Sequence, residues 1–492
     1  MEEDPEPAPL RPELDPSREA PNPGANNCGE VEPPHLSDES RWYTEHTALL
    51  ISTLKWSLLG AATGICVGEG TRAFLWSLSA SSRLVVRFFA GPVHSYYLLP
   101  AALPACVWLI RSFAPSAKGH GTEAVIAAVH QRSGKVDWKV APIKLLATVL
   151  TLAFGGSVGK EGPCAQIGAA ITSLFADVLR LRDEDRRRLV ICGIGAGFAA
   201  VFGTPVSGAL FGIEVLYLGR IEYPVFFPCL VAGIVAHLVC GVTAPVPVLH
   251  EDLSILAKSS IVPIAVALGG MFGLVALLLI ETMRTVERGL RRFQAHPYWI
   301  AAGGGAALAL FYTIAGDAYA GLGTPVIEAS LSGVTQLFVL AFLFKIVATA
   351  VTLETGGSGG IVTPLFFIGA TSGAAVAHLI GLPSGVFAAF GFVSVLAAAA
   401  NTPIAAAVMG MELLPTQLGV YAALCAGTAF LIVGHRSVYA SQKLGFSKSA
   451  GLEPPLDVSM GEVTTAPTRI RKGSLTDLMH QRIARRTDKR KR

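Results

Sequence analysis

One acid and one lysine stand inside the first of two copies of a glycine-rich frame. Residues 155–163 read GGSVGKEGP, and residues 356–364 read GGSGGIVTP. Each copy precedes an apolar stretch, which predicts a glycine-rich loop that enters the start of a helix. Helix N-termini carry unpaired backbone N–H groups and about half a positive charge, so several of them together bind an anion without basic side chains. The frames therefore predict an anion site, although glycines also serve simply to let membrane helices pack closely.

Other chemistries fit the first frame less well. Its SVGKEG stretch resembles a phosphate-binding P-loop, but Phe154 stands six positions before Lys160, where that motif needs glycine. Glu161 also takes the place of the magnesium-binding serine or threonine. A membrane-embedded enzyme with Glu161 and His120 as acid and base would need a set of metal-binding side chains. The apolar span contains no HExxH motif that would supply them. We therefore expect no enzyme, no metal and no cofactor.

The composition is typical of a membrane protein. Only 15% of the residues are charged and the mean hydropathy is +0.53. Apolar segments follow one another from Thr47 to Tyr439, and many approach the ~20 residues that a helix needs to cross the hydrocarbon. Examples are residues 223–242, 262–280 and 418–434. Segments 120–131 and 204–217 are too short to span, and such broken helices at membrane depth must be covered by protein or line a water-filled cavity. This pattern predicts an all-α polytopic membrane protein with a transport pathway.

The glycine frame belongs to a longer internal repeat. GHGT at 119–122 returns as GLGT at 321–324, an offset of 202 residues, and the glycine frame returns at an offset of 201. AAVFGTPVSGALFGIE at 199–214 returns as AAAANTPIAAAVMGME at 397–412, an offset of 198. Three matches in one order predict two structurally similar halves. Broken helices at matching positions of two halves indicate a binding site at the membrane midplane.

The chain is expected to comprise three regions. They are an acidic, Pro-rich and disordered tail at 1–42, a membrane domain at 43–445 with repeats at about 45–245 and 255–445, and a basic tail at 446–492. Residues 468–492 carry ten Lys or Arg against two Asp, which places the C-terminus in the cytoplasm beside the anionic lipid of the bilayer. The net formal charge is only +4, so no nucleic-acid partner is expected.

Four elements together resemble the CLC family of chloride channels and chloride/proton antiporters. They are GHGT (119–122), GKEGP (159–163), GGIVTP (359–364) and Tyr439 in HRSVYASQ. The resemblance covers nearly all of residues 45–445. It implies two inverted repeats with re-entrant helices, about 18 helices in all, a tyrosine at the last helix, and a homodimer with one anion pathway in each subunit.

The resemblance also assigns roles to residues. The glutamate of GKEGP is the gate in that family, here Glu161, and its carboxylate occupies an anion site until it is protonated or displaced. This explains why one copy of the frame carries an acid, while Ile361 and Val362 in the other supply only backbone N–H groups. The anion-binding residues implied are His120, Gly121, Gly159, Lys160, Glu161, Gly162, Ile361, Val362 and Tyr439.

Two of these assignments are special cases. His120 departs from the family pattern, and the role of Tyr439 rests on the resemblance alone. The commonest inner-site residue of the family is a serine in a GSGIP-like stretch, but here His120 stands at the serine and Glu123 at the proline. An imidazole N–H can donate to an ion, and its charge changes within the physiological pH range. The alternative is a histidine that donates to a nearby carbonyl. Tyr439 matches the tyrosine that helps close the inner end, whereas alone it would suit a membrane interface.

Proton coupling is where the resemblance is weakest. Proton-exchanging members usually carry a second glutamate directly after the glutamate of the GxE stretch, but FGIEVLY places Val215 after Glu214. Glu412 matches Glu214 in the second half, so both are expected to be structural. We expect a passive, voltage- or pH-gated chloride channel. The alternative is a chloride/proton antiporter whose protons take another route, and nitrate or fluoride stays open as the anion.

The resemblance also bears on location. No long soluble region follows Tyr439, so the paired cytoplasmic nucleotide-binding modules (CBS domains) of many eukaryotic members are not expected. This favours a prokaryotic type of the family in the plasma or inner membrane, with both termini in the cytoplasm.

Overall fold

The structure is a computed structural model, and it describes residues 38–89, 94–242, 253–257, 260–334, 339–464, 468–479 and 481–482. Most of the tail predicted at 1–42 lies outside the described residues, but residues 38–42 are the start of a helix instead. The chain divides into two units, Met1–Thr53 and Leu54–Arg492. The described residues of the first unit, 38–53, are helical, and the second unit contains the rest of the fold.

The fold is almost entirely helical. The α-helices of the first half are α1 (Asp38–Phe88), α2 (Leu99–Phe113), α3 (Thr122–Gln131), α4 (Val140–Ala153), α5 (Glu161–Val178), α6 (Asp183–Phe202), α7 (Pro205–Glu214) and α8 (Tyr223–Cys240). Those of the second half are α9 (Ile261–Leu290), α10 (Pro297–Ala315), α11 (Thr324–Leu331), α12 (Ala341–Glu354), α13 (Val362–Ile380), α14 (Ser384–Ala400), α15 (Pro403–Leu413) and α16 (Thr416–Ile432). Short 3-10 helices lie at Ser95–Leu98, Pro115–Ala117, Leu253–Ala257, Arg291–Phe293 and Asp317–Tyr319. Within the described part of the chain, the eight α-helices of one half match the eight of the other in order, which confirms the all-α fold with two repeats.

Six described helices are long and apolar enough to cross a membrane. They are Trp42–Phe88, Ser95–Phe113, Tyr223–Cys240, Ile261–Phe293, Pro297–Ala315 and Val362–Ile380. The two segments predicted to be too short are indeed short helices, α3 and α7, of ten residues each. In α14 every residue from Gly385 to Ala400 is buried, as expected of a helix that is apolar all round and surrounded by protein.

The Thr-Pro elements of the repeat form the same sharp corner in both halves. The residue after the end of α6, Gly203, has a left-handed φ of 72°, and the residue after the end of α14, Asn401, has a φ of 55°. A left-handed residue ends a helix because the backbone can no longer continue the helical path. Pro205 and Pro403 then occupy the first turns of α7 and α15, where the missing N–H costs nothing.

Equivalent residues of the two halves exchange equivalent hydrogen bonds. The Ser157 N–H donates to Thr352 Oγ1 (3.1 Å), and the Ser358 N–H donates to Thr151 Oγ1 (3.0 Å). Reciprocal contacts of this kind are what a two-fold relation between two similar units produces. The halves are therefore related by an approximate two-fold, as expected of inverted repeats.

Two glutamates at the ends of α7 and α15 extend the same reciprocity. The Glu214 carboxylate accepts the N–H groups of Ile404 (3.0 Å) and Ala405 (2.8 Å) in the first turn of α15. Glu412 does the same in the first turn of α7, with N···O distances of 3.0 and 2.9 Å. Carboxylates stabilise helix N-termini by satisfying amides that have no acceptor within the helix. Glu214 therefore has the structural role expected of it.

The region after α16 folds back onto the helices. Strand β1 (Tyr217–Leu218) pairs in parallel with β2 (Lys443–Leu444), and β3 (Leu452–Glu453) pairs antiparallel with β4 (Arg469–Ile470). A short helix, α17 (Met460–Val463), begins with a Ser459–Glu462 capping box. Leu218, Leu444, Met460 and Val463 form a small apolar cluster. The first part of the predicted basic tail is therefore packed, while residues from 483 onward lie outside the described residues.

Candidate anion site

The two glycine frames are hydrogen-bonded to each other. Gly159 and Gly360 form an antiparallel backbone pair with both N···O distances at 2.6 Å. Two residues after each glycine a helix begins, since α5 begins at Glu161 and α13 begins at Val362. Two helix N-termini, one from each half, are therefore fixed side by side.

The start of α3 lies against the same point. A Cβ atom at Gly162 would lie 2.1 Å from the His120 carbonyl oxygen, and one at Gly121 would lie 2.6 Å from the Gly162 carbonyl oxygen. A Cβ atom at Gly360 would lie 2.7 Å from the Gly162 nitrogen. Only glycine permits such contacts of backbone on backbone. The positive ends of α3, α5 and α13 thus converge, which is an arrangement suited to an anion.

The Glu161 carboxylate occupies this convergence point. It is 1% exposed and accepts hydrogen bonds from the Thr363 N–H (3.1 Å) and from the Thr363 hydroxyl (2.5 and 2.6 Å). A Cβ atom at Gly159 would lie 2.5 Å from Glu161 Oε2. The carboxylate of the first half therefore binds to the helix start of the second half, in the way that a free anion would.

His120 and Tyr439 approach each other at one edge of the site. Their ring centroids are 5.5 Å apart, and the Tyr439 side chain is fully buried. Neither His120 Nδ1 nor the Tyr439 hydroxyl has a hydrogen-bond partner among the described residues. Tyr439 lies in an irregular segment beyond α16, so the expectation of a tyrosine on the last helix is wrong. Two buried groups that can donate to an anion therefore lie close together without protein acceptors.

The other predicted residues take less direct positions. Lys160 is the half-buried residue before the first turn of α5, and Ile361 is the buried residue before the first turn of α13. Val362 is buried and begins α13. Ile361 and Val362 are expected to donate hydrogen bonds from their backbone N–H groups. Among the described contacts, it is the N–H of the next residue, Thr363, that donates to Glu161.

Two buried lysines that the sequence analysis missed hold the loops beside the site. Lys144 Nζ donates to the carbonyls of Ala117 (3.2 Å) and Gly119 (2.5 Å), just before α3. Lys345 Nζ makes the equivalent contacts just before α11, with N···O distances of 3.1 and 2.8 Å. Both lysines are fully buried. The sequence did contain a signal, because KLLATVLT from position 144 returns as KIVATAVT from position 345.

Glu123 and Val215 both contact the segment that follows Tyr439. Glu123 Oε1 accepts hydrogen bonds from the Ser441 N–H (2.8 Å) and hydroxyl (2.5 Å). Val215 is buried, and its carbonyl accepts a hydrogen bond from Gln442 Nε2 (3.0 Å). Val215, which has no carboxylate, and the Glu123 carboxylate on α3 therefore contact two consecutive residues, Gln442 and Ser441.

Comparison with known proteins supports the interpretation of this geometry. Residues 101–434 match the family described as "Voltage gated chloride channel". The chain is 38% identical to a "Chloride/fluoride channel protein" of Pseudomonas syringae pv. tomato, over 82% of this chain and 90% of that one. It is 27% identical to an "H(+)/Cl(-) exchange transporter ClcA" of Citrobacter koseri, over 73% and 80% of the two chains.

A solved structure is similar over nearly its whole length. The crystal structure of a CLC-type fluoride/proton antiporter superposes with a TM-score of 0.72 and 28% identity, covering 80% of this chain and 98% of that one. The chain therefore belongs to the voltage-gated chloride channel (CLC) family, and it is a multi-pass membrane protein of CLC-type anion transport.

Proposed function

We propose that this chain is a passive, pH-gated chloride channel in which the Glu161 carboxylate is the gate. The observation that carries the proposal is the buried contact of this carboxylate with the N–H and hydroxyl groups of Thr363. An anion-binding position that a protein carboxylate fills is blocked to a free anion. A change that removes the carboxylate charge frees the same donors for chloride.

The gate opens when Glu161 takes a proton. A carboxylate is held at this position by charge-assisted hydrogen bonds and by the positive ends of α5 and α13. A neutral carboxylic acid loses most of that attraction, so it leaves the site and chloride replaces it. His120 and Tyr439 then offer the ion further donors on the other side of the site.

The passive character rests on position 215. Val215 carries no ionisable group, so no proton can bind to its side chain in exchange for chloride. An antiporter is the second candidate, because the 28% identical structural neighbour is named a fluoride/proton antiporter. A buried glutamate that must be protonated to move is compatible both with a channel and with an antiporter.

Chloride is the proposed ion, and fluoride is the ion to compare with it. The 38% identical relative from Pseudomonas syringae is named for both ions. Backbone N–H groups and helix dipoles provide charge but do not fix the ion radius. We place the protein in the plasma or inner membrane with a cytoplasmic C-terminus, because of the basic segment 468–492. We also propose a homodimer, for which light scattering in detergent should give twice the mass of 51.5 kDa for the protein part.

Flux measurements in liposomes test the proposal. Purified protein is reconstituted, and efflux of chloride, nitrate and fluoride is compared side by side while the external pH is recorded. We expect chloride efflux that rises as pH falls and no uphill proton movement driven by a chloride gradient. A steady proton flux that reverses with the chloride gradient would assign the chain to the antiporter class. Fluoride flux well above chloride flux would change the assigned ion.

A further inference from the structure

Glu123 is a half-buried acid that the proposed gating function does not use. It lies in the first turn of α3, three residues after His120. One carboxylate oxygen, Oε1, accepts both the N–H and the hydroxyl of Ser441. The other, Oε2, is buried without a hydrogen-bond partner among the described residues. A buried carboxylate oxygen without a partner is costly, so its retention indicates that it binds something the protein alone does not supply.

On one side Glu123 is linked to an open cavity. The cavity has a volume of about 630 Å³ and is lined by His130 and Gln131 of α3 and by Ser441, Lys443 and Glu462. Ser441 belongs both to the cavity lining and to the hydrogen bonds of Glu123. Because a hydroxyl can both donate and accept, Ser441 connects water in the cavity with the carboxylate.

On the other side Glu123 lies near the gate. Tyr439 is two residues before Ser441, which donates to Glu123, and the His120 backbone lies against Gly162, the residue after Glu161. The His120 ring is 5.5 Å from the Tyr439 ring, and both side chains have an unpartnered polar atom. A row of polar groups thus leads from the cavity through Ser441 and Glu123 to Tyr439 and His120, beside Glu161.

We propose that Glu123 carries protons between this cavity and the Glu161 carboxylate. The inference rests on the proposed gating role of Glu161. In one direction the Glu123 carboxylate accepts a proton from hydronium ion in the cavity, which leaves water. The proton then passes to the Glu161 carboxylate, directly through water or along the hydroxyl and imidazole groups between them. Glu123 is again a carboxylate afterwards, and Glu161 is a neutral acid that leaves the anion position.

The relation to Val215 supports this assignment. Val215 accepts a hydrogen bond from Gln442, and the adjacent Ser441 donates to Glu123. An acid on α3 therefore contacts the same short segment as position 215, which has no acid.

Several charged or titratable groups lie on the elements next to Glu123. On its own helix and the loop before it are His120 and His130, on α4 is Lys144, on α5 is Glu161, and on the segment after α16 are Tyr439 and Lys443. Glu123→Gln leaves each of these groups unchanged, so the change in pH response in that variant reports on the acid at 123.

Glu123→Gln is the central variant. Glutamine keeps an oxygen that accepts from Ser441 but cannot carry a proton, so chloride flux should persist at its basal level. The increase of flux on acidification of the compartment facing the cavity should fall about tenfold or more. Glu123→Asp restores a carboxyl and should restore part of that increase. Unchanged acid activation in Glu123→Gln would overturn the proposal.

A second variant and a control make the test specific. Ser441→Ala removes only the hydroxyl between the cavity and the carboxylate, and should weaken the same acid activation if Glu123→Gln does not fold. Glu462→Gln changes an acid of the cavity rim and should leave acid activation intact. Loss of acid activation in Glu161→Gln together with its full retention in Glu123→Gln and Ser441→Ala would refute only this route. Retention of acid activation in Glu161→Gln would refute the gate itself.

Discussion

The Glu161 carboxylate in the first half accepts hydrogen bonds from both the backbone N–H and the hydroxyl of Thr363 in the second half. This contact joins the acid of GKEGP to the first turn of the helix that GGIVTP begins. It gives the asymmetry of the two glycine frames a physical meaning, because one frame supplies a carboxylate and the other supplies its donors. Single substitutions at Glu161 or Thr363 can therefore remove individual hydrogen bonds of this contact.

Glu161→Gln should abolish the pH dependence of anion flux. Glutamine has the shape of the protonated acid, so it lacks the charge that holds the side chain on the start of α13. We expect flux at neutral pH to rise to the level that the unchanged protein reaches only in acid. Efflux from liposomes at a series of pH values measures this, with Glu69→Gln on the surface as the control. A pH response of unchanged size in Glu161→Gln would exclude this residue as the gate.

Thr363→Val should weaken the closed state while keeping the side-chain shape. The hydroxyl donates to the charged carboxylate, and such a hydrogen bond contributes about 1.5–3 kcal/mol. Its loss should shift the pH of half-maximal flux upward by about one unit or more, since about 1.4 kcal/mol corresponds to one pH unit. Thr363→Ser keeps the hydroxyl and should stay close to the unchanged protein. Equal midpoints for the valine and serine variants would show that the hydroxyl does not hold the gate.

Gly159→Ala should displace the carboxylate by direct contact. The new methyl group would lie 2.5 Å from Glu161 Oε2 and 2.9 Å from Thr363 Oγ1, well inside normal contact distance. We expect higher flux at neutral pH and a smaller pH response. Gly270→Ala is the matched control, because a Cβ atom there has nothing within 4 Å. If both alanine variants behave alike, crowding at position 159 does not control the gate.

Much of this arrangement could be predicted from repeated residues. The two glycine frames predict paired loops, and the Gly-Thr-Pro (203–205) and Asn-Thr-Pro (401–403) elements predict paired corners. The structure places both pairs in reciprocal positions. Glycine and proline act through local backbone geometry, so their effect can be inferred from a few neighbouring residues. The equivalence of Glu214 and Glu412 could be predicted for the same reason.

Contacts between residues far apart in the chain could not be predicted in this way. The contact of Thr363 with Glu161 is one example, because 202 residues separate them and nothing local indicates it. Glu123 and Ser441 are 318 residues apart. The position of Tyr439 beyond the last long helix depends on how the chain returns across the molecule, which periodicity in α16 does not specify.

His120→Ala should weaken chloride binding, whereas His120→Ser should largely preserve it. The ring lies beside Tyr439 with an unpartnered Nδ1, so it can donate to an ion at the site. Loss of one hydrogen bond to a charged ligand costs about 1.5–3 kcal/mol, which is roughly a 10- to 100-fold rise in Kd. Serine keeps a donor on a shorter side chain. Calorimetric titration with chloride compares the variants, and equal affinity in all of them would make His120 a packing residue.

Lys448 should make the packing of the region after α16 depend on pH. Its Nζ donates to Asn401 Oδ1 (2.7 Å) and to the Phe430 carbonyl (2.6 Å), and burial lowers the pKa of the amine to about 6. In the detached segment the pKa returns to about 10.4, so between these values the detached state holds one more proton. Packing is therefore strengthened as pH rises, by at most about 1.4 kcal/mol per unit, and weakened as pH falls towards 6.

Hydrogen exchange of the amides from 452 to 463 measures this packing, after correction for the intrinsic effect of pH on exchange. We expect protection to increase from pH 7 to pH 9 in the unchanged protein. Lys448→Met keeps most of the apolar stem but cannot take a proton, so its protection should vary little over the same range. Lys472→Met changes an exposed lysine and should behave like the unchanged protein. A pH dependence that persists in full in Lys448→Met would assign it to another group, because methionine at position 448 leaves no titrating amine against Asn401 and Phe430.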